Sequence, residues 1–290
     1  MITGTNEGTE FGAPRRVHSR RQMHLTERDR HIVLWVYHAE LATRQQIQRL
    51  FFRSGSRSLC QQRLTLLYRA RYLDRLPRAA VSAPDVYVVS RRCTNGLRLL
   101  RSLLADDAVA IRRVNHHTLD HTLDIASCHI ALETACRALG WEMTRWLPEW
   151  QLARQMGNEG LIPDAWLQVR RPTPEGPKTA SFFLEVERSG KSHRALEEKL
   201  RRYRSLYYDG GYHRLFGTRA LRVLFLVGEE YGINPDRQIE RLVDIANWLG
   251  VTVMRFAPLS LFLQQAADQL FHAPIWRHPG SSDLCSLFSD

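Results

Sequence analysis

The sequence predicts an α/β chain, α+β overall, in two parts: a basic helical part that ends in a strand hairpin, then a mixed sheet flanked by helices. Three observations predict this. Apolar residues recur at helical spacing through residues 25–71 and at strand spacing just after. From about residue 145 onward, strand-like runs alternate with helix-like runs, the pattern of a sheet with helices on its faces. All of the net positive charge lies in the first part.

The chain has 290 residues, with 41 Lys and Arg against 30 Asp and Glu, a net charge of +11. Residues 1–115 hold 21 basic and 9 acidic residues, a balance of +12, whereas residues 116–290 hold 20 and 21, a balance of −1. That asymmetry points to a polyanion partner for the first part, most simply nucleic acid. Apolar residues at 44% and charged residues at 24% exclude wholesale disorder. No apolar run approaches the roughly 20 residues of a membrane span, and the first residues lack the apolar stretch of a secretory signal. The five cysteines are odd in number and never form CxxC, which argues for reduced thiols and against a zinc ribbon or disulfide scaffold. A cytoplasmic protein without a membrane partner is therefore expected.

Residues 1–24 are polar, Gly/Arg-rich and aperiodic, and read as a flexible basic arm. Thr26 to Asp29 opens a helix in the manner of a capping box, with Asp in place of Glu or Gln. Thr43 caps a second helix, whose core face is Ile47, Leu50 and Phe51. A turn through Ser54 and Gly55 leads to a third helix over about 56–71, with Cys60, Leu64, Leu67 and Tyr68 on its apolar stripe. Short strands at Tyr72–Leu76 and Asp85–Ser90 flank a Pro/Ala/Ser loop, and a helix over about 95–104 closes the unit. Three helices followed by a hairpin is the order of a winged helix-turn-helix, whose third helix enters the major groove of double-stranded DNA. Off its apolar stripe, that helix offers Arg57, Ser58, Gln61, Gln62 and Thr65, groups able to read base edges or hold phosphates. Arg53, Arg63, Arg69 and Arg71 surround them. The other reading of these residues is a solvated charged face or a protein-interaction module.

Residues 105–117 read as a linker, and residues 118–272 as the α/β part. A helix is expected over 118–139, strands near 145–154, 162–169 and 181–187, and a helix over 192–208 stopped by Gly210-Gly211. Residues 221–228 read as a fully buried strand, Asn234-Pro235 opens a helix to Trp248, and a strand and a helix to about Phe271 follow. Residues 273–290 are Pro/Ser-rich and are expected to be a loose tail.

Period-two alternation puts Phe183, Glu185 and Glu187 on one face of their strand and Asp164 with Trp166 on one face of the preceding one. If the two strands form a hairpin, three carboxylates share a sheet face. Like charges so placed need a cation or protons, and Mg²⁺ fits, being a hard cation held by one or two carboxylates with water and phosphate oxygens. On the next helix, Leu196, Leu200, Tyr203 and Tyr207 mark the apolar stripe, and Lys199 borders it. Lys199 is one of only three lysines, with Lys178 and Lys191. His117 and His121, at i,i+4, are a rival metal pair, but there is no HExxH string and the neighbours suit an ordinary packed helix. Tyr203, Tyr207, Tyr208 and Tyr212 read as packing around a helix end. Each carboxylate also has a plainer reading: Asp164 capping a turn, Glu187 paired with a nearby arginine, Glu185 bridged to Lys199.

Pro163-Asp164, then Glu185-Val186-Glu187 after an apolar strand start, resembles the PD-(D/E)xK restriction-nuclease fold, whose core order αβββαβ matches residues 118–228. The motif places Lys two residues after the Glu, where this chain has Glu187. Some members of that superfamily carry the lysine on the following helix, where Lys199 stands. LTERDRHIV, PDAWL and FFLEVERSG followed by EKLRRY together look like the replication-relaxation family of bacterial plasmids and mobile elements, over roughly residues 24–260. The resemblance implies DNA binding in plasmid replication or relaxation. The likeness to the PD-(D/E)xK fold implies a metal-dependent DNA endonuclease site, with Asp164, Glu185 and Glu187 as Mg²⁺ ligands and catalytic residues and Lys199 as the catalytic cation. The alternative it leaves is a non-catalytic replication or mobilisation accessory, or a transcriptional repressor, with an inactive nuclease-like domain. Replication or mobilisation proteins are then the expected protein partners, and a homodimer stays open.

Overall fold

The computed structural model describes residues 23–77, 83–104, 109–111, 118–157, 159–188, 190–229 and 234–288. The expected basic arm up to residue 22, the hairpin tip at 78–82, most of the linker and His117 lie outside the described residues. The chain divides into two compact units, Met1–Ala126 and Ser127–Asp290.

The first unit runs α1 (Glu27–His38), β1 (Leu41–Thr43), α2 (Arg44–Phe51), α3 (Arg57–Arg69), β2 (Asp74–Arg75), β3 (Val86–Val88) and α4 (Thr94–Leu104). The strands form an antiparallel sheet in the order β1-β3-β2, with both Leu41 and Asp74 opposite Val88. Three helices and a hairpin follow as the sequence suggested. The added strand β1 was hidden because three residues are too few to show alternation. Ile32, Val36, Ile47, Leu64, Leu67 and Tyr87 fill the core. Gly96 lets α4 lie on the preceding chain: a Cβ there would stand 2.2 Å from the Tyr72 carbonyl oxygen.

Both caps form as the sequence implies. Thr26 with Asp29 and Thr43 with Gln46 make reciprocal capping boxes. Asp29 does more than cap. It is fully buried, accepts from Thr26 N at 2.7 Å, and also accepts from Arg63 of α3, whose Nε donates at 2.7 Å and whose Nη2 donates to the second oxygen. Burial pushes its carboxyl up, but the hydrogen bonds from Arg63 and Thr26 outweigh that and hold it below the ordinary aspartate value. The N-terminus of α1 and the middle of α3 are thereby tied together.

The second unit runs from α5 (Leu119–Ala138), which begins in the first unit, through β4 (Glu142–Pro148), α6 (Glu149–Met156), β5 (Ala165–Arg171) and β6 (Lys178–Glu187). It continues with α7 (His193–Tyr208), α8 (Gly211–Phe216), β7 (Arg222–Val227), α9 (Pro235–Leu249), β8 (Met254–Pro258) and α10 (Leu259–Gln264). The five strands form one mixed sheet in the order β4-β5-β6-β7-β8, antiparallel up to β6 and parallel beyond it. Trp166, Phe183, Phe225 and Phe256 on one face form a core with Leu196, Leu200, Ile239 and Leu242 of α7 and α9.

Three elements differ from the sequence reading. Residues 149–154, expected to continue a strand, are helical: Pro148, which has no N–H for a ladder, becomes the N-cap of α6. The Gly210-Gly211 pair stops α7 and also starts the short α8, with Gly210 in the left-handed region. The final helix ends at Gln264, and the segment expected to hang loose is packed. Phe256 of β8 exchanges two backbone hydrogen bonds with Arg277, both 2.9 Å, and Ile275, Trp276 and Leu287 are buried. An edge strand offers unpaired backbone groups, and this segment takes them.

Arg63→Ala leaves the Asp29 carboxylate buried without its cation, so it should cost about 3–5 kcal/mol in urea unfolding. Arg57→Ala, exposed on the same helix, should stay within about 0.5 kcal/mol. Equal small losses would mean that the Asp29–Arg63 pair does not hold α3.

Candidate functional site

The register of β5 and β6 pairs Ala165 with Leu184, so Asp164 lies one step before β5, beside Glu185. Its Oδ2 accepts from Val186 N at 2.7 Å. Glu185 and Glu187 both face the α7 side of the sheet and both are buried. Lys199 of α7 donates from Nζ to Glu185 Oε2 at 2.5 Å, with its ammonium 5.2 Å from the centroid of Phe225, the residue opposite Glu185 on β7. The Tyr203 hydroxyl, one turn further along α7, donates to Glu185 Oε1. Glu187 is held differently: Lys191, in the loop before α7, donates to its Oε2 at 2.6 Å.

Burial pushes the Glu185 carboxyl up to about 7, with the Asp164 charge adding to the effect and Lys199 opposing it. Burial works against the Lys199 charge too, yet the Glu185 carboxylate beside it leaves the ammonium held above its ordinary value. The Tyr203 hydroxyl is raised by burial and then by Glu185, so it stays a donor. The result is a proton-poised carboxylate between one cation and one hydroxyl. Among the described residues, no group of three or more His, Cys, Asp or Glu side chains is gathered to hold a metal. Asp164 and Glu185 present hard oxygens side by side, with both Glu185 oxygens taken by Lys199 and Tyr203 and Asp164 Oδ2 by Val186 N.

The groups expected to face DNA lie where the sequence put them on α3. Arg57, Ser58 and Gln62 are exposed, Gln61 and Thr65 half-buried, and Arg53 is exposed in the turn before the helix. That turn uses Gly55 at φ 81°. Thr65 Oγ1 donates to the Gln61 carbonyl at 2.8 Å, so its proton is spent inside the helix. Arg63 turns inward to Asp29 and leaves the basic face. His129 is buried and stacks on Trp146 at 3.8 Å, a packing role.

The sequence reading missed Tyr203 and Lys191 as partners of the two glutamates. Tyr203 was legible only as packing, although a Tyr four residues after a Lys on one helix face was the available signal. Lys191 had the signal of rarity: each of the three lysines pairs with a glutamate, Lys178 with Glu175, Lys191 with Glu187 and Lys199 with Glu185. The other tyrosines of the group use their hydroxyls on backbone carbonyls, Tyr207 on Arg219, Tyr208 on Gly250 and Tyr212 on Ala220.

The model of the replication-relaxation family matches residues 34–220, a span that takes in most of the first unit, Asp164, both glutamates and Lys199. The chain belongs to the replication-relaxation family. Comparison with curated proteins and comparison with solved structures each gave no match. Membership in the replication-relaxation family fits a role in replication or relaxation of a plasmid or other mobile element. Among the described residues, no helix is long and apolar enough to cross a membrane.

Glu185 keeps its proton in the fold to a higher pH than in the unfolded chain. Its contribution to stability is therefore lost as pH rises from its ordinary 4.5 towards about 7. Removing Lys199 deepens this. Lys199→Ala should cost about 3 kcal/mol or more at pH 8, where Glu185 must either stay a buried anion without its cation or take up a proton. The loss should be clearly smaller at pH 5.5, where the carboxyl is protonated. Urea unfolding at the two pH values measures the difference, and a loss independent of pH would contradict the placement of Lys199.

Proposed function

We propose that this member of the replication-relaxation family binds double-stranded DNA through its first unit, read as a winged helix with α3 as the reading helix. One observation carries the reading: α3 is anchored inward by Arg63 and Asp29 while it turns Arg57, Ser58 and Gln62 outward, in the part of the chain that holds all the net positive charge. The arginine can bond the guanine edge and Gln61 or Gln62 the adenine edge in the major groove. The element order α-β-α-α-β-β supports the same reading.

The full chain should bind duplex with an affinity that falls steeply with salt, by about 0.9 log units per log unit of salt for each phosphate neutralised. Arg57→Ala or Gln61→Ala should reduce discrimination between a selected site and random duplex by about 1–3 kcal/mol. Equal losses on both duplexes would reject a reading role for α3, and no binding at low salt would reject the reading as a whole.

The second unit favours a second reading, Mg²⁺-dependent phosphodiester cleavage. It rests on Asp164 and Glu185 lying side by side with Lys199 on Glu185, in a sheet that we read as PD-(D/E)xK-like. Asp164 and Glu185 would hold the ion, with Glu187 next along β6 to assist. Bound Mg²⁺ would supply charge stabilisation and a more acidic water. Lys199 would orient the attacking water or offset charge on the phosphate in the transition state. Asp164→Asn and Glu185→Gln should then abolish cleavage of supercoiled plasmid and leave duplex binding intact. If wild-type protein cuts no DNA with Mg²⁺ or Mn²⁺ and calorimetry detects no metal binding, this unit acts as an inactive nuclease-like domain. The protein is then a replication or mobilisation accessory, or a repressor, that assembles with replication or mobilisation proteins or with a second copy.

A further inference from the structure

Trp248 stands out in the second unit. It is 70% exposed, more than any other large apolar side chain described. Its helix explains the position but not the residue. Ile239, Leu242, Ile245, Ala246 and Leu249 turn α9 inward, and residue 248 falls on the outer side, where a polar residue would serve the fold as well.

The surroundings of Trp248 are specific. The Arg201 guanidinium lies 5.4 Å from its ring centroid, held there by Glu197, whose Oε1 accepts from Arg201 Nη2 at 2.6 Å. One turn further along α7, Arg204 donates from Nε to the Leu249 carbonyl at 2.9 Å and stands 5.8 Å from the ring of Tyr208. Tyr208 is 47% exposed, with its hydroxyl donating to the Gly250 carbonyl at 3.3 Å and lying 3.1 Å from Thr252 Oγ1. Two exposed aromatic rings, each with an arginine against it, thus meet around the C-terminal end of α9. All four side chains are held by contacts to α7, α9 or the loop after α9.

The chemistry narrows the occupant. A stable dimer contact needs about 800 Å² on each partner with an apolar centre. Here the apolar part is two rings, and Asp244, Asn247 and Thr252 beside them are exposed and polar. A duplex keeps its base faces stacked inside and offers the rings nothing to cover. An unpaired strand presents base faces and phosphates together, the pairing that aromatic and arginine side chains bind. Of the carboxylates nearby, Glu197 already shares the Arg201 charge, Asp244 lies one turn before Trp248, and Asp209 follows Tyr208 at the end of α7. Arg204 is bonded to a neutral carbonyl and keeps its full charge for a phosphate.

We infer that Trp248 and Tyr208, with Arg201 and Arg204, form a stacking site for unpaired bases of single-stranded nucleic acid, separate from the α3 face. The test uses the full chain with a fluorescently labelled oligothymidylate, an abasic strand of the same length and a duplex, followed by anisotropy. Wild type should bind the oligothymidylate more tightly than the abasic strand. Trp248→Ala should weaken that binding about tenfold, Trp248→Phe should recover most of it, and duplex affinity should change less than about twofold in either variant. The side chain is exposed, so the melting temperature should not move, and circular dichroism checks this. Equal affinity for the abasic strand, or binding untouched by Trp248→Ala, overturns the inference. So does a Trp248→Ala variant that loses only self-association in sedimentation, since the patch is then a protein contact.

Discussion

The second unit depends on how the buried carboxylate of Glu185 is satisfied. β6 is the central strand of the five, and a charge on its core side is costly unless paired and hydrogen-bonded. Lys199 and Tyr203 supply one partner for each oxygen, and both come from α7, one turn apart. Rotating α7 by one residue would remove both at once, so the carboxylate fixes which face of α7 meets the sheet. That choice has an outward consequence. With Leu196, Leu200 and Tyr203 inside, Arg201 and Arg204 must face out, beside the end of α9.

The first unit solves a similar problem at smaller scale. Asp29 is a helix-capping residue sunk into the core, and Arg63 reaches it from α3. A cap that also holds a neighbouring helix converts a local preference into a tertiary constraint. It also divides the arginines of α3: Arg63 turns inward to Asp29, while Arg57 is exposed. The outward face of α3 and the Asp164–Glu185 pair lie in separate units, each beside one buried carboxylate paired with one cation.

Much of this was legible in the sequence because it obeys short-range rules. The caps at Thr26, Thr43 and Asn234 are local patterns and appear as read, and so does the stripe of α7 save that Leu206 rather than Tyr207 is buried. β6 alternates as read but is buried on both faces, so the face with its glutamates also packs, against α7. The pairing of Lys199 with Glu185 was legible as one of two alternatives, because a lysine bordering an apolar stripe needs a partner. What escaped depends on tertiary context. β1 is a strand only because β3 lies beside it. The tail is ordered by backbone bonds to β8 that no local pattern encodes. Tyr203 reads as a core aromatic until its hydroxyl is seen against a carboxylate. The exposure of Trp248 is equally invisible, because a tryptophan at the end of an amphipathic helix reads as core.

The central claim is that α3 meets duplex DNA with the face carrying Arg57, Ser58 and Gln62. Its most direct test is site-specific photo-crosslinking, with a photoreactive residue placed singly at Ser58 and at Gln62 of the full chain and a duplex selected for tight binding. The account predicts efficient protein–DNA crosslinks from both positions, with the duplex still bound. Tight duplex binding with no crosslink from either position would contradict it.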